Sequence, residues 1–394
     1  TVDVFNIKSI EEANSFDEIS EIRELTYNIN KANGFDLESL LTGGYKDPTH
    51  FIYELIQNAE DAKATVVEFK LEKNRLIFSH NGSKHFDLND IKAITGIGNS
   101  KKKIVDNKDR PIGKFGIGFK SVFKICKVPE IFSEDFCFKI EHLYVPKRIE
   151  KSLEYIGKTY FVLAFYGNED EISSTYQIVH DALVNFSSDT ILFLRNINEI
   201  NCAVDENTFK LKRDKKHKSF NQFDYFECDI KRNDRTENSY LFFERPLSMD
   251  NKLYVSIAYK VSNEDNKKII MEENTTKLVV FFPMDGVETF LHFKVNGPYA
   301  TTNTRDNLSV ELNNKEANSN IIKETVDLYT DSLRCIKSMG LFTIDVFNKL
   351  PIDKSLSLKD DLPLSFYYAT LKLMKEESFL PTNSNSCTCP KEAL

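Results

Sequence analysis

The sequence predicts an α+β fold in two parts, a mixed helix–strand domain followed by a second, sheet-rich α/β domain. Three observations predict it. Ile52, Leu55, Ile56 and Ala59 recur at helical spacing, and two short strand patterns follow directly, at 65–71 and 76–79. From about Asn201 to Phe293 the pattern turns mostly strand-like, broken by charged turns. A long helical stretch then runs from about Asn318 to Lys337.

Composition sets the bounds. The chain has 394 residues, 41% hydrophobic and 28% charged, which is globular composition and long enough for two or three domains. With 31 Phe and no Trp, the cores are expected to be rich in Phe. A net charge of −8 gives no global case for nucleic-acid binding. The seven cysteines are odd in number and mostly scattered in apolar runs, which fits reduced, buried thiols in a cytoplasmic protein. Cys387 and Cys389 stand in a linker-like tail and read as an incidental pair. No window approaches the roughly 18 apolar residues of a membrane span, and no signal peptide opens the chain. The start at Thr1 and the loop-like end are expected of part of a longer protein.

In chain order, residues 8–32 are polar and helix-compatible, and Gly34, Gly43 and Gly44 punctuate a loop. A helix is expected at 49–62, then the two strands with a turn at Lys73–Asn74, the turn His80-Asn81-Gly82, and a short helix at 88–94. Glu54, Asn58 and Asp61 share one face of the helix at 49–62, an acid, an amide and an acid with no Lys or Arg until Lys63. Such a face suits a cation and a water molecule. From Lys101 to Lys124 eight cations meet two acids, a local balance of +6. Within it, Gly113-Lys114-Phe115-Gly116-Ile117-Gly118 stands before a helix-like run, 119–125, where backbone N–H groups and a helix start make an anion site. Strands are expected at 130–132, 136–142 and 159–166, a helix at 174–184, and strands at 208–211, 225–230, 239–243, 252–259 and 277–282. Residues 293–308 read as a polar loop, with Arg305 the one cation in its second half.

Together these segments resemble the GHKL ATPases, the Bergerat-fold group of gyrase B, the 90-kDa heat-shock chaperones, MutL and histidine kinases, and most closely its sacsin-like branch. ELIQNAEDA, from Glu54 to Ala62, resembles the first motif, and GKFGIGFKSVF, from Gly113 to Phe123, resembles the glycine-rich lid. The spacing between them, about fifty residues, suits the family. GKT at Gly157–Thr159 is similar to the third motif, and NGPYATTNTRDN at Asn296–Asn307 to the segment that brings a basic residue to the γ-phosphate. The resemblance implies a Bergerat α/β sandwich at 35–200 and a middle, transducer-like α/β domain at 201–345. A helical segment at 1–34 would precede them and a helical or linker segment at 346–394 would follow.

The resemblance implies roles residue by residue. Glu54 is the general base, Asn58 holds Mg²⁺ between the phosphates, and Asp61 lines the pocket. Gly113, Lys114, Phe115, Gly116 and Gly118 wrap the phosphates, and Ser100 and Lys101 stand near the lid start. Thr159 helps to hold adenine, and Arg305 meets the γ-phosphate. Thr159 also reads as an ordinary strand threonine, Arg305 as a partner of Asp306, and Ser100 and Lys101 as solvated loop. The second motif departs from Asp-X-Gly-X-Gly: His80 stands at the Asp position, Gly82 is kept, and Lys84 replaces the second glycine. The adenine amino group would then bond to a suitable tautomer of His80 or to the Asn81 carbonyl.

The implied function is ATP binding and slow, Mg²⁺-dependent hydrolysis coupled to lid closure and domain rearrangement, with client proteins and a homodimer as expected partners. Relatives of this branch suggest a role in bacterial antiviral defence. The alternatives are a nucleotide-binding scaffold with little hydrolysis, and a MutL- or MORC-like DNA clamp whose only support is the basic stretch. A histidine kinase is disfavoured, since no phospho-acceptor helix pair precedes the first motif.

Overall fold

The computed structural model describes residues 8–35, 49–96, 118–262, 268–302, 307–353, 361–381 and 387–388, and the backbone alone at Asp285. The chain divides into two compact units, Thr1–Ser187 with Leu194–Leu211, and Ser188–Phe193 with Lys212–Leu394. The architecture is mixed α+β, with both antiparallel and parallel strand pairs.

In the first unit, α1 (Phe16–Ala32) starts where the Ser15 side chain accepts the Glu18 N–H. α2 (His50–Asp61) buries Phe51, Ile52, Leu55, Ile56 and Ala59 along one stripe, as its spacing predicts. β1 (Val66–Glu72) and β2 (Arg75–His80) form an antiparallel hairpin whose register runs from Val67 opposite His80 to Glu72 opposite Arg75. Alternation in β1 buries Val67, Phe69 and Leu71. α3 (Leu88–Ile94) opens on a capping box between Asp87 and Asp90, and a 3₁₀ helix spans Gly118–Lys124. β3 (Glu130–Ser133), β4 (Phe136–Glu141), β5 (Val145–Arg148) and β6 (Thr159–Ala164) follow, then α4 (Glu169–Val184) and β7 (Glu199–Val204). The strand order is β7-β1-β2-β6-β3-β4-β5, with β7 parallel to β1.

α1 lies along the edge strand β5. Ser20 Oγ donates to the Pro146 carbonyl at 2.7 Å, Lys147 pairs with Glu24 at 2.6 Å, and the Arg148 guanidinium sits 4.4 Å over the Phe16 ring. Phe16 and Ile19 of this helix are buried within the unit, and the helix covers a strand edge that would otherwise be open to pairing.

In the second unit the chain runs through β8 (Phe209–Phe220, its first three residues counted with the first unit), β9 (Phe223–Arg232), β10 (Arg235–Leu247), β11 (Asp250–Val261), β12 (Lys277–Val280), β13 (Phe282–Glu288) and β14 (Lys294–Asn296). Their order is β13-β12-β14-β11-β10-β9-β8. α5 (Leu312–Ser338), α6 (Ile344–Asn348) and α7 (Asp361–Glu376) complete the unit, with α5 packed on β10, β11 and α7. Phe293 stacks on Tyr329 with centroids 5.3 Å apart, and Tyr329 meets Phe366 at 5.0 Å. Three buried tyrosine hydroxyls each find a hydroxyl partner at 2.8 Å: Tyr259 with Ser332, Tyr299 with Thr325, Tyr329 with Thr370.

Several strands outrun their sequence patterns. β8 continues through Lys212–Phe220, a charged stretch that reads as turn. β5 was not expected. The tail pairs Leu380–Pro381 with Cys387–Thr388 where a linker was expected. The six described cysteines are free thiols, four of them buried, and Cys389 lies outside the described residues. Among the described residues no helix is long and apolar enough to cross a membrane.

Candidate functional site

The polar face of α2 divides into separate environments. Glu54 is only 5% exposed, and one turn earlier His50 places Nε2 3.3 Å from Glu54 Oε1. The start of the 3₁₀ helix lies against the same carboxylate: a methyl group on Gly118 would sit 1.9 Å from Glu54 Oε2. Asn58 is half-buried, and its Nδ2 is buried with no hydrogen-bond partner among the described residues. Asp61, also half-buried, is one of the acids whose field reaches Lys84. Burial alone would lower the Lys84 pKa, but its bond to Asp90 at 2.8 Å and the charges of Asp90, Asp87 and Asp61 raise it.

The turn after β2 packs on the end of α2. Lys84 N–H donates to the Ala62 carbonyl at 3.2 Å. A methyl on Gly82 would lie 2.5 Å from that same oxygen, so the close approach requires glycine. His80 is 3% exposed, between Phe78 and Phe161 at 6.2 and 6.3 Å. Its Nδ1 accepts the Gly82 N–H at 3.1 Å. Burial, with a smaller contribution from His85, pushes its pKa down to about 4, so the ring is neutral at pH 7. Strand register puts His80 opposite Thr159. Thr159 is 1% exposed and its hydroxyl is 3.1 Å from that of Ser133, which also accepts the Phe86 N–H at 3.2 Å. Phe119, next to Gly118, meets Phe161 at 5.8 Å. Through these rings the Glu54–Gly118 contact and the His80–Thr159 pair share one face of the sheet.

Asn81 does something other than expected. Its Oδ1 accepts both the Thr65 and Val66 N–H groups at 2.9 Å, and its Nδ2 donates to Thr65 Oγ1 at 2.9 Å. This carboxamide closes the start of β1, so the carbonyl expected to accept from a base is already occupied by the backbone. Ser100, Lys101, Gly113, Lys114, Phe115, Gly116 and Arg305 lie outside the described residues.

Two charged residues escaped the sequence reading. Glu60, 1% exposed, accepts Arg195 N–H at 2.8 Å and Asn196 N–H at 2.6 Å through Oε1, and Ile197 N–H at 3.0 Å through Oε2. Lys120, counted among the cations of the basic stretch, is 3% exposed and donates to the carbonyls of Ile94 at 2.7 Å and Leu143 at 2.5 Å. Burial, with the nearby Arg23 charge, pushes its pKa down to about 7. Among the described residues no group of three or more His, Cys, Asp or Glu is placed to hold a metal ion. A cavity of about 350 Å³ opens at the other end of β2, beside Arg75 and Glu130, and none of the described candidate residues lines it.

A protein-family model described as "Sacsin domain" matches residues 37–159. The protein NO VEIN of Arabidopsis thaliana is 38% identical over 113 residues, covering 27% of this chain and 4% of that protein. Sacsin of Homo sapiens is 32% identical over 111 residues, covering 23% of this chain and 2% of that protein. The chain thus spans only a few per cent of the length of these relatives. Among solved structures, the crystal structure of the N-terminal domain of a DNA repair protein is similar over 76% of this chain and 98% of that one, at 14% identity and a TM-score of 0.40. The Sacsin-domain match and the two relatives together support a sacsin-like family for the stretch holding α2, β2 and the first residue of β6.

Proposed function

We propose that the first unit is a Bergerat-type nucleotide site that binds ATP with Mg²⁺ and hydrolyses it slowly, as the engine of a chaperone-like, sacsin-like protein. The observation that carries this reading is the Glu54 carboxylate, buried on α2 with His50 on one side and Gly118 on the other. A buried acid held beside an imidazole, with backbone pressed against it, is suited to take a proton from an attacking water. His50 Nε2, 3.3 Å from the carboxylate, holds its orientation.

The residues present fit the cation as well. Asn58 has a buried carboxamide nitrogen left unused by the described fold, so its side chain is available for a ligand, with an oxygen for a hard cation and an N–H₂ for a phosphate oxygen. Mg²⁺, when bound, would supply charge neutralisation at the phosphates. Thr159 and His80 face the base. Lys114, the lid glycines, Ser100, Lys101 and Arg305 keep their proposed phosphate roles on the resemblance alone. Client binding and homodimerisation are likewise proposals. The scaffold alternative is favoured by His80 at the Asp position of the second motif and disfavoured by the intact Glu54. The DNA-clamp alternative is weakened because Lys120, one of its cations, is buried.

The test is steady-state phosphate release with Mg²⁺ on the wild type, Glu54→Gln and Arg305→Ala. Turnover should fall about 100-fold or more in Glu54→Gln with ATP binding retained. A wild type that neither binds nor hydrolyses ATP would sink the reading, and binding without turnover would promote the scaffold.

A further inference from the structure

We infer that His80 makes the base-reading position a hydrogen-bond donor, so that the site favours a purine with an oxo group at position 6 over one with an amino group. The inference rests on the nucleotide reading above and names its base specificity.

The geometry leaves His80 little choice of tautomer. Its Nδ1 accepts the Gly82 N–H at 3.1 Å, and an imidazole nitrogen that accepts carries no proton. The neutral ring must then carry its proton on Nε2, which can only donate. Burial keeps the ring neutral, with a pKa of about 4, so this state holds at physiological pH. Gly82 secures the approach: a methyl there would lie 2.9 Å from His80 Nδ1 and 2.5 Å from the Ala62 carbonyl oxygen. The ring is 3% exposed and lies between Phe78 and Phe161, which restrict its rotation.

The neighbouring carboxamide acceptor is engaged. Asn81 Oδ1 already takes two backbone N–H groups. Thr159, opposite His80 in the register, shares a hydrogen bond with Ser133. Either oxygen of that pair can donate, so the Thr159 hydroxyl does not discriminate, and the choice falls to His80. An exocyclic amino group, itself a donor, would face the Nε2–H donor of His80, whereas an oxo group accepts from it.

The test is calorimetric titration of the full chain with Mg²⁺ and either ATP or inosine triphosphate, which carries oxo in place of amino at position 6. The wild type should bind inosine triphosphate at least about tenfold more tightly than ATP, and His80→Asp should shift the ratio at least about tenfold towards ATP. The wild-type ratio needs no variant, so misfolding of His80→Asp cannot rescue the inference. Equal affinities, or tighter ATP, in the wild type would overturn it and leave the hydrolase reading standing. Failure of both nucleotides to bind would remove the nucleotide reading and this inference with it.

Discussion

Gly118 and Glu54 come together from distant parts of the chain, so closely that a methyl on Gly118 would sit 1.9 Å from Glu54 Oε2 and 2.3 Å from Cδ. The need for glycine here is one of space. The obstructing atoms are the end of a side chain, so Gly118→Ala can be accommodated by displacing the carboxylate. Because Glu54 is buried, that displacement costs about 1 kcal/mol in urea unfolding. On the proposed role of Glu54 as the base, turnover should suffer far more, falling about 100-fold. In a Glu54→Ala background the stability cost of Gly118→Ala should vanish. Additive costs in that cycle would show that the contact does not explain the glycine.

Glu60 stands six residues after Glu54 in the same motif, yet its task is structural. Its carboxylate collects the N–H groups of Arg195, Asn196 and Ile197 and ties α2 to the loop before β7. Glu60→Ala should leave buried donors unpaired and lower the unfolding free energy by about 3 kcal/mol, seen as a drop in the urea midpoint at unchanged m-value. A loss below about 0.5 kcal/mol would mean that water replaces the carboxylate fully.

The contrast between Glu54 and Glu60 shows where the sequence was legible. Elements with local signals were read closely: α2 from its apolar stripe, α3 from its span at 88–94, and the β1–β2 hairpin from alternation around Lys73–Asn74. The start of α4 carried a signal that was missed, the Asn168–Glu171 capping box, and the helix begins at Glu169 instead of near Ser174. The second half of β8 had no apolar pattern to read, because pairing sustains its charged residues. Glu60 and Lys120 were opaque for another reason. Their partners are backbone groups far along the chain, and a side chain bonded to distant backbone leaves no spacing in the sequence. Of the candidate site, the face shared by Glu54 and Asn58 was legible from periodicity, while His80 and Thr159 were found through the resemblance and placed by strand register.

Asn81 offers a test of the corrected assignment. Its side chain makes three hydrogen bonds at 2.9 Å to Thr65 and Val66, although the residue itself is exposed. Asn81→Ala should cost about 1–2 kcal/mol, while Asn81→Asp, which keeps the acceptor, should recover most of it. Equal destabilisation by the two variants would show that Nδ2, and not Oδ1, carries the effect.

Lys120 predicts a pH dependence of definite sign. Its folded pKa of about 7 lies below its ordinary 10.5, depressed by burial and then by the Arg23 charge. Between those values the unfolded chain holds a proton that the folded chain lacks, so stability rises with pH across the window. Below about pH 7 both states are protonated and the penalty for burying the charge is fully present. Above 10.5 both are neutral and it is gone. The slope near the middle is about 1.4 kcal/mol per pH unit. Lys120→Met lacks the titrating group, so the stability difference between wild type and variant should move in favour of the wild type from pH 7 to pH 9.5. Urea unfolding of both proteins at pH 6.5, 8 and 9.5 measures it. Parallel pH profiles for the two would show that the Ile94 and Leu143 carbonyls hold the ammonium charged throughout, and that burial does not set its protonation.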